Sequence, residues 1–279
     1  ASTTTTRGMY LTDTVSGFCT SYTTRAEDTW KPVAENPFMS GSFVWTGFDY
    51  RGEPSPHDWP CISSHFGIMD TCGFPKDDYY YYLSWWGKEP VVHLFPHWNK
   101  EGKEPGGPVE VWCYSNCDRV ELFLNGRSLG AKDMPRHSHL EWRVPYELGV
   151  LSAKGFRKGR EAALTQVETT GDPAAIQLVP DRREIKADGE DVSLVTAHIV
   201  DSAGRTVPTA GNEVVFEVSG PGSVVGVGNG NPSSHEPDRA TRRRAFNGLC
   251  LGIVQAGAEP GEIILRAGSP GLAPASVTI

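Results

Sequence analysis

The stretch FVWTGFDYRGEPSPHDWP, residues 43–60, sets an aromatic ring close to several carboxylates: Trp45, then Asp49 and Glu53, then Asp58 and Trp59. Such a set can hold a sugar. An indole ring covers the apolar C–H face of a pyranose, and carboxylates accept hydrogen bonds from its hydroxyls. Trp45 falls near the C-terminal end of a predicted buried strand, SGSFVWTGFDY (40–50), entered through Gly41 and left through Gly47. In a parallel α/β barrel the C-terminal strand ends form the active-site face. The same residue types also fit a plainer arrangement, with Trp45 packed in a core and Asp49 paired to an arginine. The pattern by itself leaves both open.

Other chemistry is poorly supported. His57, His65, His93 and His97 lie near Asp58 and Asp70, but Pro96 interrupts the 93–97 spacing that a helical metal site would need. They read as loop or structural histidines, and neither metal nor cofactor is expected. The net charge of −8 and the shortness of the one basic run, Arg242-Arg243-Arg244, argue against nucleic acid as a partner. That run reads as a solvated loop or strand edge. GVGNGNP (226–232) lacks the ending of a phosphate loop and reads as a turn. The six cysteines form no CxxC set. In an extended WCYSNC segment, Cys113 and Cys117 would stand about 13 Å apart, too far for a disulfide. No apolar run is long enough to span a bilayer. The opening ASTTTTRGMY lacks the basic and apolar regions of a signal peptide, and its polar start without Met leads us to expect further polypeptide upstream.

The elements that would position this chemistry fall into three textures. Residues 1–90 are mixed and aromatic-rich: a strand, a long loop, and a helix in PKDDYYYYLSWWGKEP (75–90). Pro75 with Asp77 or Asp78 starts that helix, and Gly87 and Pro90 stop it. Tyr79, Tyr82, Leu83 and Trp86 share one helical face, expected to pack on a barrel. Such a βα unit builds parallel α/β folds. A (β/α)8 barrel needs about 250 residues, so this region supplies only its last one or two repeats.

Residues 91–171 read as all-β. Val120, Leu122 and Leu124 alternate, as do Leu140, Trp142 and Val144, and Asn125-Gly126 signals a tight hairpin. The spacing of strands and turns predicts an immunoglobulin-like sandwich. Residues 172–279 repeat that texture after the linker TTGDP (169–173), with IVQAGAEPGEIILRAG (253–268) read as another hairpin. The expected fold is thus the C-terminal part of a (β/α)8 TIM barrel followed by two immunoglobulin-like β-sandwiches. Residues 91–279 would fold without 1–90, and 1–90 alone would fold poorly.

The blocks SFVWTGFDYRGEP, SSHFGIMDTCGFPKDDYYYYLSWW, VHLFPHWN and WCYSNCDRVELFLNG, in this order and spacing, resemble the β-galactosidase branch of glycoside hydrolase family 2. The resemblance covers nearly the whole chain and is densest over 40–130. It implies a retaining exo-β-galactosidase acting on terminal β-D-galactosides of an oligosaccharide or glycoconjugate. It further implies that Trp45 lines the pocket of the non-reducing galactose and that Glu53 contacts that sugar's hydroxyls. Asp49, between them, would be a pocket hydrogen-bonder or a loop brace. His65, Asp58 and Trp59, in the following loop, would border the aglycone.

Retaining chemistry uses two carboxyl groups about 5–5.5 Å apart. In the family the nucleophile precedes a stretch resembling ASTTTTRGMY, so both glutamates are expected upstream of Ala1. The first Glu present is Glu27, and the chain by itself is expected to be inactive. β-Mannosidase or β-glucuronidase specificity and a non-catalytic carbohydrate-binding or adhesion module are the competing readings. Immunoglobulin-like tails accord with a periplasmic or secreted location.

Overall fold

In this computed structural model residues 25–54, 57–99 and 106–279 are described. The ASTTTTRGMY stretch, which bears on the expected position of the nucleophile, and Cys19 lie outside the described residues. The chain divides into two compact units. One holds residues 1–70 and 74–169, the other residues 71–73 and 170–279.

The first unit begins with helix α1 (Ala26–Glu35), whose first turn carries Glu27 and Asp28, charges that suit a helix N-terminus. Helix α2 (Asp77–Trp86) follows, again with acids in its first turn, and Gly87 caps it. Its buried residues are Asp77, Tyr81, Tyr82 and Ser84, while Leu83 and Trp86 are exposed. Of the expected face Tyr79, Tyr82, Leu83 and Trp86, only Tyr82 is buried, and the inward face is turned toward Tyr81. The reason is its partner: among the described residues α2 packs on the β-sandwich. Tyr81 and Tyr82 cluster with Phe95, Trp112 and Tyr114, and Tyr81 Oη donates to the His137 carbonyl (2.9 Å).

The predicted strand over 40–50 does not form. Phe43 and Trp45 stand exposed; among the described residues the stretch forms one isolated parallel bridge, Phe48 with Met69, and an antiparallel bridge of Arg51 with Ser63 lies just beyond it. A strand exists through its ladder partners, and among the described residues no ladder runs along 40–46, where Thr46 O accepts from the Ile68 N–H (3.0 Å). The sequence carries the apolar run of a strand, but its burial requires neighbours on both sides.

The strands of this unit form two sheets. One is three-stranded, β1 (Val92–Phe95), β2 (Pro108–Ser115) and β5 (Leu140–Pro145). The other is four-stranded, ordered β4 (Arg127–Asp133), β3 (Arg119–Leu124), β6 (Val150–Arg157), β7 (Arg160–Glu168). Val111, Cys113, Trp142 and Val144 of the first sheet share one core with Val120, Leu122, Leu124, Leu151 and Ala153 of the second. The period-2 alternation read in the sequence creates this: β5 alternates buried and exposed along its whole length. Asn125 and Gly126 both take positive φ (52° and 78°) at the β3–β4 turn, as a two-residue hairpin requires.

The second unit is also a two-sheet sandwich. One sheet runs β12 (Arg242–Arg244), β10 (Glu213–Ser219), β14 (Ile264–Gly268), β15 (Ala275–Thr278). The other runs β11 (Gly222–Gly228), β13 (Leu249–Ala256), β9 (Val192–Val200), β8 (Ala175–Pro180). Residues 253–268 are not a hairpin: β13 and β14 belong to different sheets, and GAEPGE crosses between them. Alternation marks strands but carries no record of which sheet each joins. The Arg242–Arg244 run is an edge strand, with Arg243 turned inward onto Asp238 (2.8 Å) and the Glu236 carbonyl (2.7 Å).

Candidate functional site

The segment 43–76 of the first unit carries the candidate residues. Its base is built by Asp49, which is buried. One carboxylate oxygen accepts from the Gly67 N–H (2.8 Å) and the Ser64 hydroxyl (3.2 Å), and the other meets Lys76 Nζ at 2.5 Å. Lys76 also donates to the His65 carbonyl (2.9 Å). Burial pushes the Asp49 carboxyl above its ordinary range, against the pull of Lys76. Asp49 N–H donates to Met69 O, and Met69 N–H to Gly47 O, both 2.9 Å. That exchange is the hydrogen-bond pattern of neighbouring parallel strands. Asp49 thus has the geometry of a loop brace, with its carboxylate consumed inside the loop. Gly67 is required here: a Cβ on it would lie 2.3 Å from the Asp49 nitrogen.

Above this brace stand three linked side chains. The Trp45 indole N–H donates to Tyr50 Oη (3.2 Å), and Tyr50 Oη donates to Glu53 Oε2. The bond to Glu53 holds the Tyr50 phenol above its ordinary value. Trp45 is 76% exposed, and Glu53 is exposed as well. This pair offers an exposed ring and a carboxylate whose Oε1 has no hydrogen-bond partner among the described residues. Phe43, Phe48 and Trp59 add exposed aromatic surface to the same segment.

The expected aglycone residues take different positions. The His65 ring packs on His57 (centroids 4.4 Å apart), with Nε2 2.7 Å from Cys61 Sγ. Burial, with His57 and Lys76 adding to it, pushes His65 down to about 3, so its imidazole is neutral near pH 7. Burial also lowers His57, opposed by Asp58. Asp58 and Trp59 are exposed. No group of three metal-binding side chains occurs among the described residues.

The sequence reading missed Tyr50, Ser64, Gly67 and Lys76. Tyr50 lay inside the quoted block, but a loop has no periodicity to say where its side chain points. Lys76 reaches Asp49 only through the fold.

Compared with known proteins, residues 176–278 match the model of glycoside hydrolase family 2 C-terminal domain 5, and residues 106–163 match a domain of unknown function, DUF4982. The chain is 46% identical to Beta-galactosidase BoGH2A of Bacteroides ovatus over 255 residues, which is 91% of this chain and 30% of that protein. It is 36% identical to a putative beta-glucuronidase of Formosa agariphila over 242 residues, 84% of this chain and 23% of that protein. A crystal structure of a beta-glycosidase from Bacteroides vulgatus superposes with a TM-score of 0.86 at 37% identity, covering 91% of this chain and 32% of the other. The chain belongs to glycoside hydrolase family 2. It spans about a third or less of the length of these relatives, 23–32%.

Proposed function

We propose that this chain supplies one wall of the sugar pocket in a retaining exo-β-galactosidase, with Trp45 as the platform for the terminal sugar and Glu53 as a hydroxyl acceptor. The observation that carries the reading is the pairing, through Tyr50, of an exposed indole with an exposed carboxylate. Its identity to a relative named as a beta-galactosidase supports galactose. On this reading residues 1–90 close a (β/α)8 barrel, residues 91–171 and 172–279 are the immunoglobulin-like domains that follow it, and the acid/base and nucleophilic glutamates belong to polypeptide upstream of Ala1. The parallel bridge of Phe48 with Met69, followed by α2, supports the barrel assignment. So does the exposed aromatic surface over 43–59, since apolar patches mark faces that other groups cover. Asp49 acts as a brace, and Trp59 and Asp58 border the aglycone.

A second reading, β-glucuronidase activity, draws on the similarity to the Formosa protein. Steady-state kinetics of the full-length polypeptide on p-nitrophenyl β-D-galactoside, β-D-glucuronide and β-D-mannoside decides between them. The expected result is a kcat/KM at least about a hundredfold higher on the galactoside. A preference for the glucuronide would replace galactose in the proposal, and no turnover of any of them would remove it.

A further inference from the structure

We infer that Tyr50 is a positioning residue for the sugar-binding pair, orienting Glu53 through its hydroxyl and leaving Trp45 only its ring face for the ligand. The inference rests on the reading that Glu53 contacts sugar.

A phenol has one proton to give and can accept another. Both capacities are in use, in one direction: the indole N–H points at Tyr50 Oη, and the Tyr50 proton points at Glu53 Oε2. Among the described residues Tyr50 is the only hydrogen-bond partner shown for either side chain. Tyr50 is itself anchored. Its N–H donates to Ser64 Oγ (3.1 Å), and its carbonyl accepts from Ser64 N–H (2.8 Å). Its ring meets Phe66 edge-on, with centroids 5.7 Å apart and planes at 73°. Ser64 also donates to the Asp49 carboxylate (3.2 Å). The buried brace therefore reaches the exposed Glu53 through the Tyr50 backbone and ring.

This arrangement divides the chemistry. Glu53 Oε2 is held, which aims Oε1 at the ligand. The Trp45 N–H is already used, so it cannot donate to a sugar oxygen, and recognition by Trp45 is through the ring face. Without the phenol hydroxyl Glu53 would have to be ordered by the ligand at each binding event.

The test is a double-mutant cycle of Tyr50→Phe and Glu53→Ala in the full-length polypeptide, read as kcat/KM on p-nitrophenyl β-D-galactoside, with thermal melts of each variant. Phe retains the ring packing, so the melting temperature should hold. Tyr50→Phe should lower kcat/KM about tenfold in the wild-type background and less than about threefold in the Glu53→Ala background, because its effect passes through Glu53. If Glu53→Ala leaves activity intact, the reading that Glu53 contacts sugar is wrong and the role of Tyr50 falls with it. If Glu53→Ala is impaired while Tyr50→Phe is unchanged, or costs the same in both backgrounds, the pocket assignment survives and the positioning role is refuted. A lowered melting temperature with equal losses in both backgrounds likewise assigns Tyr50 a structural role only.

Discussion

Asp49 and Gly67 show how a single close approach fixes a loop. The Asp49 carboxylate takes the Gly67 N–H, the Ser64 hydroxyl and the Lys76 ammonium, and the backbones of 48–49 and 67–69 run so near one another that only hydrogen fits at residue 67. Gly67→Ala must push these backbones apart, since the clash is with main-chain atoms and not a mobile side-chain end. The expected cost is about 2 kcal/mol, measurable by urea unfolding. A stability unchanged within error would show that the loop is held elsewhere. At this scale the sequence was legible in type and not in role. Trp45, Asp49 and Glu53 were identifiable as a group that could bind sugar. That Asp49 faces inward and Glu53 outward depends on Lys76 and Ser64, whose approach is a product of the fold.

Among the elements, helix α1 meets the sandwich through His139, just before β5. Its Nδ1 lies 2.8 Å from Glu27 of α1, and its Nε2 lies 2.7 Å from Glu141 of β5. The ring stacks on Trp112 of β2, centroids 3.7 Å apart and planes within 11°. Arg25 lies 5.8 Å over that same Trp112 ring and 3.8 Å from Glu27. Burial pulls His139 down, but the hydrogen bonds and charges of Glu27 and Glu141 outweigh it, and its pKa stands above the ordinary 6.5. A histidine raised on folding binds its proton more tightly in the folded state. Its stabilisation is complete below pH 6.5 and is lost as the pH rises through the higher folded value. His139→Gln should therefore lower the melting temperature at pH 6, by an amount corresponding to about 1 kcal/mol, and much less at pH 9. Equal shifts at both pH values would assign the contact to packing alone. The strands were legible because alternation is local: β3 and β5 follow their apolar patterns residue by residue. Sheet membership was not, as the separation of β13 from β14 shows, because it depends on partners distant in sequence. The inward face of α2 was read correctly only at Tyr82, for the same reason, its partner being the aromatic cluster of β1 and β2.

For the molecule as a whole, the two sandwiches are each complete: every strand pairs and each pair of sheets encloses one core. Residues 43–60 are different. Phe43, Trp45 and Phe48 are exposed in a stretch, 40–50, whose apolar pattern is that of a buried strand, and Trp59 is exposed beyond it. On the proposed reading this face belongs to an α/β domain whose remaining strands cover part of it while the ligand covers the rest. On that account the 279-residue chain tested alone should release no nitrophenol from a β-galactoside. Any turnover by it would place catalytic carboxylates within these residues.

The proposed role of Trp45 as the platform for a terminal galactose is tested by kcat/KM on p-nitrophenyl β-D-galactoside for the full-length polypeptide and its Trp45→Ala variant. Trp45→Ala should lower kcat/KM by at least about a hundredfold with an unchanged melting temperature. A variant within about threefold of the parent, equally folded, would contradict it.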